Sequence, residues 1–345
     1  MNFSDKVVCV TGAGGSIGSE ICKQLILQGV KELVLVSLTE SGLYRTTTAL
    51  SAIKRADQYV TGILGSVLDH RLMLQTLKGV NLVIHAAAHK HVPICESNPL
   101  AAIETNTIGT AVLVDAARAN AVSDFIFIST DKAVKPSSVM GMSKRFAELI
   151  LRDHAQTYIN GRPVYWDGLT SFRIVRFGNV LDSDGSVLPL WRKQIAAGGP
   201  VTLTDKRCTR YFMSIPQAAE LVLGVLDLPP SIGPFVFDMG EPVNMYDLAR
   251  ETMNAEMEKP DNIRRYTQPN GVTYMPTLVE TGLRPGEKLT EELAYEGSVH
   301  PTANPKINVI EEKPARLRSH TLVGLMDAVR ERRTTDALQL LWSVK

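Results

Sequence analysis

The sequence has almost no net charge and few cysteines. Its 37 basic and 36 acidic residues nearly cancel over 345 residues, so the charge balance indicates neither a nucleic-acid-binding surface nor a surface for anionic membranes. The four cysteines (Cys9, Cys22, Cys95 and Cys208) show no paired spacing. This pattern favours reduced thiols over a disulfide or metal framework.

Long apolar runs are also missing. No segment offers about 20 uninterrupted apolar residues, and the amino-terminal sequence "MNFSDKVVCVTGAGG" enters a strand pattern at once, without the regions of a signal peptide. We therefore expect no membrane segment and a cytoplasmic location. The sequence also has no fixed-period repeat and no low-complexity tract, which excludes repeat architectures.

Short apolar runs, in contrast, recur along the chain with helical patterns between them. They are "KVVCV" (6–10), "ELVLV" (32–36), "YVTGIL" (59–64), "NLVIHA" (81–86), "DFIFIS" (124–129), "FRIVR" (172–176) and "PFVFDMG" (234–240). Continuous apolar strands separated by helices are typical of a parallel sheet covered on both faces. The fold class we predict is α/β, a doubly wound parallel sheet of the Rossmann type.

The pattern changes after Asn179, where helical stretches (187–197 and 215–228) alternate with loops rich in proline and glycine. We predict a Rossmann domain over 1–179, to which 215–240 returns. A smaller substrate-binding lobe is expected over 180–214 and 241–345. Its last segment, "SHTLVGLMDAVRERRTTDALQLLW" (319–342), has helical apolar spacing and predicts an amphipathic helical cap, with a partner-binding helix as the alternative.

A glycine pattern, "TGAGGSIGSE" (11–20), follows the first predicted strand directly and opens a helix. Glycines at these spacings permit a tight turn, the approach of backbone N–H groups to a pyrophosphate, and close packing of helix on strand. This context predicts a dinucleotide site. The residues that we assign to it are Gly12, Gly15, Ser16, Ile17 and Gly18.

The second predicted strand ends in "LVLVSLTES", with Ser37 where an acidic residue usually binds the ribose hydroxyls. Without a carboxylate there is no repulsion of a 2′-phosphate, and Thr39, Ser41 and Arg45 can donate hydrogen bonds to one. This favours NADP, and NAD remains the alternative. Ala86, which ends the fourth predicted strand, completes the cofactor set.

The stretch "FIFISTDKAVKP" brings Thr130, Asp131 and Lys132 to the end of a central strand. Residues just beyond the carboxyl end of a parallel strand point into the ligand crevice. A lone Asp-Lys pair is commonly a solvated ion pair, but the strand-end location and the nearby Lys144 favour a catalytic role. Met140 stands four residues before Lys144, where short-chain oxidoreductases carry a tyrosine.

Five segments together resemble a known family. They are the glycine pattern, "STDKAVKPSSVMGMSK", "RFGNVLDSDGSVLPLW", "TRYFMSIPQAAELVL" and "GLRPGEKLTEEL". They are similar to the nucleotide-sugar 4,6-dehydratases of polysaccharide biosynthesis, within the extended short-chain dehydrogenase/reductase family, whose members most like this chain act on UDP-N-acetylglucosamine. The resemblance covers residues 4–295. Many relatives carry an amino-terminal membrane region, and this chain is expected to be the catalytic part alone.

The resemblance implies an internal redox reaction with NADP or NAD regenerated in each turnover. A hydride leaves C4, water is lost across C5 and C6, and the hydride returns to C6, which gives a 4-keto-6-deoxy sugar nucleotide. By analogy Lys132 is the C5 base and Asp131 the acid for the C6 hydroxyl. Thr130 positions or relays the C4 hydroxyl proton, and Lys144 holds the nicotinamide ribose. Met140 carries no exchangeable proton, which implies retention at C5.

Further candidates surround these residues. The segment "IHAAAHKHVP" (84–93) contains His85, His89 and His91, but no carboxylate completes a metal-ligand spacing, and we expect no metal. Asn106 is expected to hydrogen-bond backbone near the active strand. The substrate-binding residues that we predict, chiefly for a nucleoside diphosphate, are Lys90, Asn179, Thr204, Arg210, Arg284 and Glu287.

The function that the sequence predicts is a C5-retaining UDP-N-acetylglucosamine 4,6-dehydratase. A C5-inverting dehydratase and a C4 epimerase are the alternatives in related chemistry. A dinucleotide-binding regulator without catalysis is the alternative from another class, and Met140 would be its natural support. We also expect a homo-oligomer, because relatives pair through helices flanking the tyrosine-equivalent segment.

Overall fold

The computed structural model describes residues 1–155, 157–159, 162–164, 170–231, 233–295, 298–312 and 317–344. The chain divides into two compact units. Unit 1 contains Met1–Phe177, Pro216–Asp238 and Glu292–Lys345. Unit 2 contains Gly178–Ile215 and Met239–Glu291.

Unit 1 is built on a nine-stranded sheet. Its strands are β1 (Val7–Thr11), β2 (Glu32–Ser37), β3 (Tyr59–Leu64), β4 (Leu82–His85), β5 (Asp124–Ile128), β6 (Ser171–Arg176), β7 (Phe235–Phe237), β8 (Val299–Pro301) and β9 (Ile307–Ile310). They lie in the order β8-β9-β7-β6-β5-β4-β1-β2-β3. Strands β1 to β7 are parallel to their neighbours in that series. Every strand predicted from the apolar runs is present, and the doubly wound fold class is confirmed.

Helices connect and cover these strands. They are α1 (Ser16–Leu27), α2 (Glu40–Ser51), α3 (His70–Thr76), α4 (Val92–Ser97), α5 (Pro99–Ile103), α6 (Gly109–Ala119), α7 (Val139–His154), α8 (Ile215–Gly224), α9 (Ser319–Arg330) and α10 (Thr334–Trp342). A π-helical turn, Glu104–Ile108, joins α5 to α6, and a 3-10 turn, Val225–Asp227, follows α8. One apolar cluster combines Val83 and Phe125 of the sheet with Leu113 of α6 and Leu151 of α7. Burial of this apolar surface is what fixes the helices on the sheet.

Unit 2 is smaller and contains short elements. Its strands are Asn179–Val180, Val201–Leu203, Thr209–Arg210, Phe212–Met213, Val243–Asn244 and Leu278–Glu280, and its helices are Val187–Ala196, Met245–Met257 and Pro260–Tyr266. Trp191 is fully buried in its core with Leu203, Met245 and Ala249. A separate hairpin, Thr157–Ile159 with Arg162–Val164, belongs to unit 1.

The prediction that all of 241–345 forms the second lobe is wrong for 292–345, which belongs to unit 1. Strand β9 pairs antiparallel with β7 and so covers an edge of the main sheet that would otherwise present unpaired backbone groups. The predicted carboxy-terminal cap is two helices, because the backbone turns at Arg332 with a φ of 58°. Buried Leu325 of α9 and Leu341 of α10 pack in one cluster with Phe146 of α7.

Within the described residues, none of the helices combines the length and the apolar character needed to cross a membrane.

Candidate active site

The glycine loop leads directly from β1 into α1. Gly12 has a φ of 69°, which favours glycine, and a Cβ there would lie 2.6 Å from the backbone nitrogen of Ala87 and 2.8 Å from the carbonyl oxygen of Ala86. A Cβ at Gly18 would lie 2.3 Å from the carbonyl oxygen of Gly12. Both glycines are therefore required by the protein itself, because helix, loop and β4 meet there without room for a side chain.

Gly15 differs from Gly12 and Gly18. A Cβ at Gly15 would meet only the carbonyl oxygen of Gly12, at 3.4 Å, which is an ordinary contact. Gly15 is the residue that precedes α1, whose first residues are Ser16 and Ile17, and no side chain in the described part of the chain caps this helix. An open face beside the positive end of a helix fits a bound pyrophosphate. The loop thus has the geometry expected of a dinucleotide cradle.

Ser37 ends β2 beside this loop. Its hydroxyl donates to the carbonyl oxygen of Thr39 at 3.2 Å and accepts from the Thr39 N–H at 3.3 Å. This turn brings α2 against the loop, because a Cβ on Gly14 would lie only 2.8 Å from the backbone of Gly42. Thr39, Ser41 and Arg45 are exposed along the start of α2, where they can reach a ligand in the cradle.

His85 ends β4 and is fully buried. Thr110 donates its hydroxyl proton to the carbonyl oxygen of Asn106 at 2.7 Å, so it accepts from Nε2 of His85 at 3.0 Å. Nδ1 of His85 then accepts from the Thr11 hydroxyl at 2.7 Å. Burial, with a further effect of the Lys144 charge, lowers the pKa of His85 to about 3. His85 is therefore a neutral structural link between β1 and α6.

The other two histidines of the segment 84–93 are exposed, as is Lys90. Asn106 holds this segment, because its amide donates to the carbonyl oxygen of His89 at 3.0 Å and accepts from the His89 N–H at 2.8 Å. The amide also donates to the Ser143 hydroxyl at 2.9 Å. The backbone role expected for Asn106 is confirmed. Across the described ranges, no group of three or more His, Cys, Asp or Glu side chains is arranged to hold a metal ion.

Thr130, Asp131 and Lys132 form a cluster just beyond the carboxyl end of β5. The Thr130 hydroxyl donates to Oδ1 of Asp131 at 2.8 Å, and Nζ of Lys132 lies 3.0 Å from the same oxygen. The Asp131 side chain is 1% exposed and that of Lys132 is 20% exposed. Oδ2 of Asp131 is buried and has no hydrogen-bond partner among the described residues. The structure thus brings together the hydroxyl, the carboxylate and the amine that the sequence predicted as one site.

Helix α7 lies directly against this cluster because of Gly141. A Cβ at this position would be 2.3 Å from the carbonyl oxygen of Lys132. Ser138 caps the helix by accepting from the Gly141 N–H at 3.1 Å. Met140, the neighbouring residue, is 4% exposed and packs in an apolar cluster with Val92 and Phe146.

Lys144 lies in the second turn of α7 and is 5% exposed. Its ammonium lies 3.9 Å from the centre of the Phe127 ring, which is the geometry of a cation–π contact. Burial lowers the pKa of Lys144 to about 7, although the Glu148 carboxylate opposes this shift. Lys144 can therefore exchange a proton near neutral pH.

A buried ion network beneath the strand end is a feature that the sequence did not predict. We call it the Glu148 network, and its members are Arg145, Glu148, Arg152, Arg176 and Glu312. Oε1 of Glu148 accepts from Nε of Arg176 at 2.7 Å, and Oε2 accepts from Nη1 of Arg145 at 3.1 Å. Glu312 accepts from Arg145 at 2.8 Å and from Arg152 at 2.6 Å, and its other oxygen lies 2.9 Å from Nη2 of Arg176.

The network also reaches the carboxyl end of β5. The Ser129 hydroxyl donates to Oε1 of Glu148 at 2.6 Å. Burial alone would raise the pKa of Glu148, but the charge and hydrogen bonds of Arg176 outweigh it and hold the pKa at about 2. A signal for this network was present, since an arginine in the apolar strand "FRIVR" needs a buried partner.

The remaining substrate-binding candidates lie in unit 2. Arg210 donates from Nη1 to the carbonyl oxygens of Thr209 (2.7 Å) and Leu289 (2.9 Å), and from Nη2 to that of Lys288 (2.8 Å). Arg210 was predicted as a fork for the diphosphate, whereas the structure uses most of its donors to hold the segment that carries Arg284 and Glu287.

That segment closes on itself as a turn. The Glu287 carboxylate accepts from the backbone N–H of Arg284 at 3.1 Å, and the Glu287 N–H donates to the Arg284 carbonyl oxygen at 3.0 Å. The Arg284 residue is exposed. Thr204 is half-buried with its hydroxyl 3.8 Å from Sγ of Cys208, and Asn179 donates its backbone N–H to Tyr211 at 2.9 Å. Arg284 is thus presented on an ordered turn.

The sequence has clear relatives. Residues 8–312 match the family described as "Polysaccharide biosynthesis protein". The capsular polysaccharide biosynthesis protein CapD of Staphylococcus aureus is 40% identical over 301 residues, which cover 87% of this chain and 47% of CapD. The probable polysaccharide biosynthesis protein EpsC of Bacillus subtilis is 41% identical over 298 residues, which cover 86% of this chain and 46% of EpsC. The chain therefore spans about half the length of these two relatives.

A UDP-glucose 4-epimerase of Rickettsia rickettsii is 36% identical over 225 residues, which cover 64% of this chain and 62% of that protein. Among solved structures, Pen from Bacillus thuringiensis superposes with a TM-score of 0.78 at 27% identity, covering 92% of both chains. DesIV of Streptomyces venezuelae, a dTDP-glucose 4,6-dehydratase with NAD and TYD bound, superposes with a TM-score of 0.69 at 21% identity, covering 95% of this chain and 97% of DesIV. The DesIV match shows the fold alone. The protein is a member of the polysaccharide biosynthesis family, as the resemblance of its motifs implied.

Proposed function

We propose that this protein is a nucleotide-sugar 4,6-dehydratase that acts on UDP-N-acetylglucosamine with retention at C5. The product would be a UDP-linked 2-acetamido-2,6-dideoxy-4-keto hexose for the synthesis of a surface polysaccharide. The observation that carries the proposal is the cluster of Thr130, buried Asp131 and partly buried Lys132 at the carboxyl end of β5. The names of CapD and EpsC support the process.

Lys132 and Asp131 together can meet the two opposite demands of dehydration. Elimination needs a neutral amine to take the C5 proton and a protonated carboxyl to give one to the C6 hydroxyl. Nζ of Lys132 and Oδ1 of Asp131 lie 3.0 Å apart, so one bound sugar can reach both groups. Oδ2 of Asp131 has no partner among the described side chains and is left open to a substrate group.

Thr130 connects this pair to the C4 hydroxyl. Its own proton is donated to Asp131 at 2.8 Å, so its oxygen is left to accept the proton that leaves the C4 hydroxyl. As Thr130 takes that proton, its own proton passes to the Asp131 carboxylate, and the carboxyl then gives a proton to the leaving C6 hydroxyl, so Asp131 and Lys132 end the turnover as they began it. A bound nicotinamide dinucleotide supplies the acceptor and donor of the hydride. Retention follows because Lys132 returns the proton to the face of C5 from which it came, and buried Met140 offers no second acid.

The cofactor that we propose is NADP, with NAD as the alternative. The cradle at Gly15 fits the pyrophosphate of both, and exposed Thr39, Ser41 and Arg45 can donate to a 2′-phosphate. The preference is measured by titrating the purified protein, first stripped of bound nucleotide, with each dinucleotide. Tighter binding of NADP that is lost in Arg45→Ala supports the assignment, and equal affinities contradict it.

A C4 epimerase of a UDP-sugar is the second candidate, favoured by the similarity to the Rickettsia UDP-glucose 4-epimerase. Epimerisation needs hydride transfer at C4 but no acid–base pair for loss of water. The buried Asp131–Lys132 pair would then have no role.

One experiment separates these functions. The purified protein is incubated with UDP-N-acetylglucosamine in deuterated water and the products are followed by NMR. A 4-keto-6-deoxy product labelled at C5, with its configuration retained, supports the proposal, whereas the inverted C5 configuration would support the inverting dehydratase. UDP-N-acetylgalactosamine would support the epimerase. No turnover of this or of GDP- and dTDP-linked sugars would leave the dinucleotide-binding regulator as the better account.

A further inference from the structure

Among the described residues of the Glu148 network, Glu148 itself makes the most contacts with the proposed active site. Its Oε1 accepts from the Ser129 hydroxyl at 2.6 Å, and Ser129 is the residue before Thr130. The same carboxylate accepts from Arg176, the last residue of β6. Glu148 therefore joins α7 to the ends of the two strands that border the proposed active site.

The strand ends depend on this junction. The Ser129 N–H donates to the carbonyl oxygen of Val175 at 2.7 Å, and the Asp131 N–H donates to that of Phe177 at 3.2 Å. These bonds flank Arg176, whose guanidinium is anchored on Glu148. A shift of Arg176 or Ser129 would move the backbone that carries Asp131, and catalytic groups are sensitive to displacements of a fraction of an ångström.

Glu148 also lies one helical turn after Lys144, on the same face of α7. The groups that face Lys144 are the Phe127 ring from β5, the neutral His85 from β4 and Glu148 from its own helix. Lys144 is buried, so a nearby negative charge is what favours its ammonium form. Glu148 supplies that charge to Lys144.

We propose that Glu148 is a positioning residue of this site, which fixes the strand end through Ser129 and favours the ammonium form of the buried Lys144. The effect of Glu148 on catalysis rests on the proposed function, but its effect on the protonation of Lys144 does not. A carboxylate that only stabilised the fold would not change the protonation of Lys144. It would change the reaction rate only through its effect on stability.

The chain offers a matched control in Glu312. This carboxylate belongs to the same network and binds Arg145 and Arg152, whereas the Ser129 hydroxyl donates to Glu148. The carboxylate that opposes the lowered pKa of Lys144 is also Glu148. Glu312→Gln and Glu148→Gln therefore remove the same charge from the same network. Both carboxylates contact Arg176 at the end of β6, so the two variants differ in whether Ser129 and Lys144 lose a partner.

The first test follows Lys144 directly in protein without cofactor. Spectra of 13C-labelled lysine are recorded from pH 5 to 10, and the Lys144 signal is identified by its absence in Lys144→Met. Burial lowers the pKa of Lys144 to about 7 and Glu148 opposes the shift. Glu148→Gln should move the midpoint to lower pH by about one unit, and Glu312→Gln should leave it nearly unchanged. Equal midpoints in the two variants would overturn the proposal.

The second test measures turnover of UDP-N-acetylglucosamine. We expect kcat to fall about tenfold or more in Glu148→Gln and several-fold in Ser129→Ala, with little change in KM, and to stay near the wild-type value in Glu312→Gln. Glu148→Asp, which restores the charge, should recover the Lys144 midpoint even where kcat stays low. It also serves as the test if Glu148→Gln does not fold. A fall in kcat that tracks loss of thermal stability equally in both glutamine variants would show a structural role alone.

The two tests distinguish failure of the proposed function from failure of the inference about Glu148. If no nucleotide sugar is turned over by the wild-type protein, the proposed function fails, while the lysine titration still decides the effect of Glu148. If turnover is normal in Glu148→Gln and the midpoint is unmoved, the inference about Glu148 is wrong and the proposed function stands.

Discussion

Two carboxylates in unit 1, Asp131 and Glu148, are both fully buried and are held in opposite ways. Both oxygens of Glu148 accept hydrogen bonds, from Ser129, Arg176 and Arg145. In Asp131 the donors Thr130 and Lys132 converge on Oδ1, and Oδ2 has no partner among the described residues. A buried carboxylate whose two oxygens both accept hydrogen bonds contributes to structure. A buried carboxylate with one oxygen left without a donor is available for chemistry.

The largest contrast should be in activity. Asp131→Asn and Lys132→Ala each remove one member of the acid–base pair, and we expect turnover of UDP-N-acetylglucosamine to fall by about 10²–10⁴-fold. Circular dichroism and thermal unfolding should stay close to the wild type, because Asp131 makes few bonds that hold the fold. Dehydration at the wild-type rate in either variant would contradict the assigned roles.

The second contrast should be in stability. Glu148→Ala leaves Arg176 and Arg145 without this carboxylate in a buried site, and we expect the free energy of unfolding to fall by about 3–5 kcal/mol. Urea denaturation of Glu148→Ala and Asp131→Ala side by side measures the difference. If the loss in Glu148→Ala is no greater than in Asp131→Ala, the distinction between the two carboxylates does not hold.

The third contrast depends on pH and concerns Lys144. Its pKa is about 7 in the folded protein and about 10.4 in an unfolded chain. Between these values the unfolded state binds more protons, so stability rises with pH. The cost of burying the ammonium is therefore greatest below pH 7 and absent above pH 10.4.

Lys144→Met removes that cost and keeps the packing. We expect the variant to gain about 1–3 kcal/mol of unfolding free energy at pH 6, after the loss of the contact with Phe127, and to gain little at pH 10. Urea denaturation at the two pH values checks the sign. A gain that is larger at pH 10 would show that burial does not depress the pKa of Lys144.

The smallest effect is expected at the glycine loop. Here Gly15 has open space beside it, whereas Gly18 is required by the packing of the protein itself. Gly15→Ala meets no close atom, so it should cost less than about 1 kcal/mol of stability yet weaken dinucleotide binding about tenfold. Gly18→Ala forces a Cβ against the Gly12 carbonyl oxygen and should cost about 1–3 kcal/mol. Unchanged dinucleotide affinity in Gly15→Ala, measured by fluorescence titration, would place the pyrophosphate elsewhere.

The sequence predicted the parts of this molecule that depend on short segments. The parallel strands of the sheet and the cluster at the end of β5 followed from apolar runs and from the rule that ligands bind at the carboxyl ends of parallel strands. The need for a glycine at Gly12 followed from its place in the glycine-rich loop between β1 and α1. In each case the deciding contacts join residues that are near in sequence or are fixed by the regular geometry of the sheet.

The features that the sequence did not predict depend on distant residues. Glu148 and Arg176 could be suspected as charges in apolar segments, but nothing in the sequence pairs them with Glu312. The return of 292–345 to unit 1 was not predicted because the short strands β8 and β9 carry no strong apolar pattern, and their position is decided by the free edge at β7. The contact of Gly141 with Lys132 was not predicted for the same reason, since residue spacing does not encode the distance between a helix and a turn.

The position of Glu312 has a consequence for how the chain is made. Arg145, Arg152 and Arg176 are synthesised well before Glu312, the carboxylate that contacts all three of their guanidinium groups. Glu312 follows two residues after β9, which pairs with β7. Neutralising the buried guanidinium groups is therefore coupled to the pairing of β9 with β7.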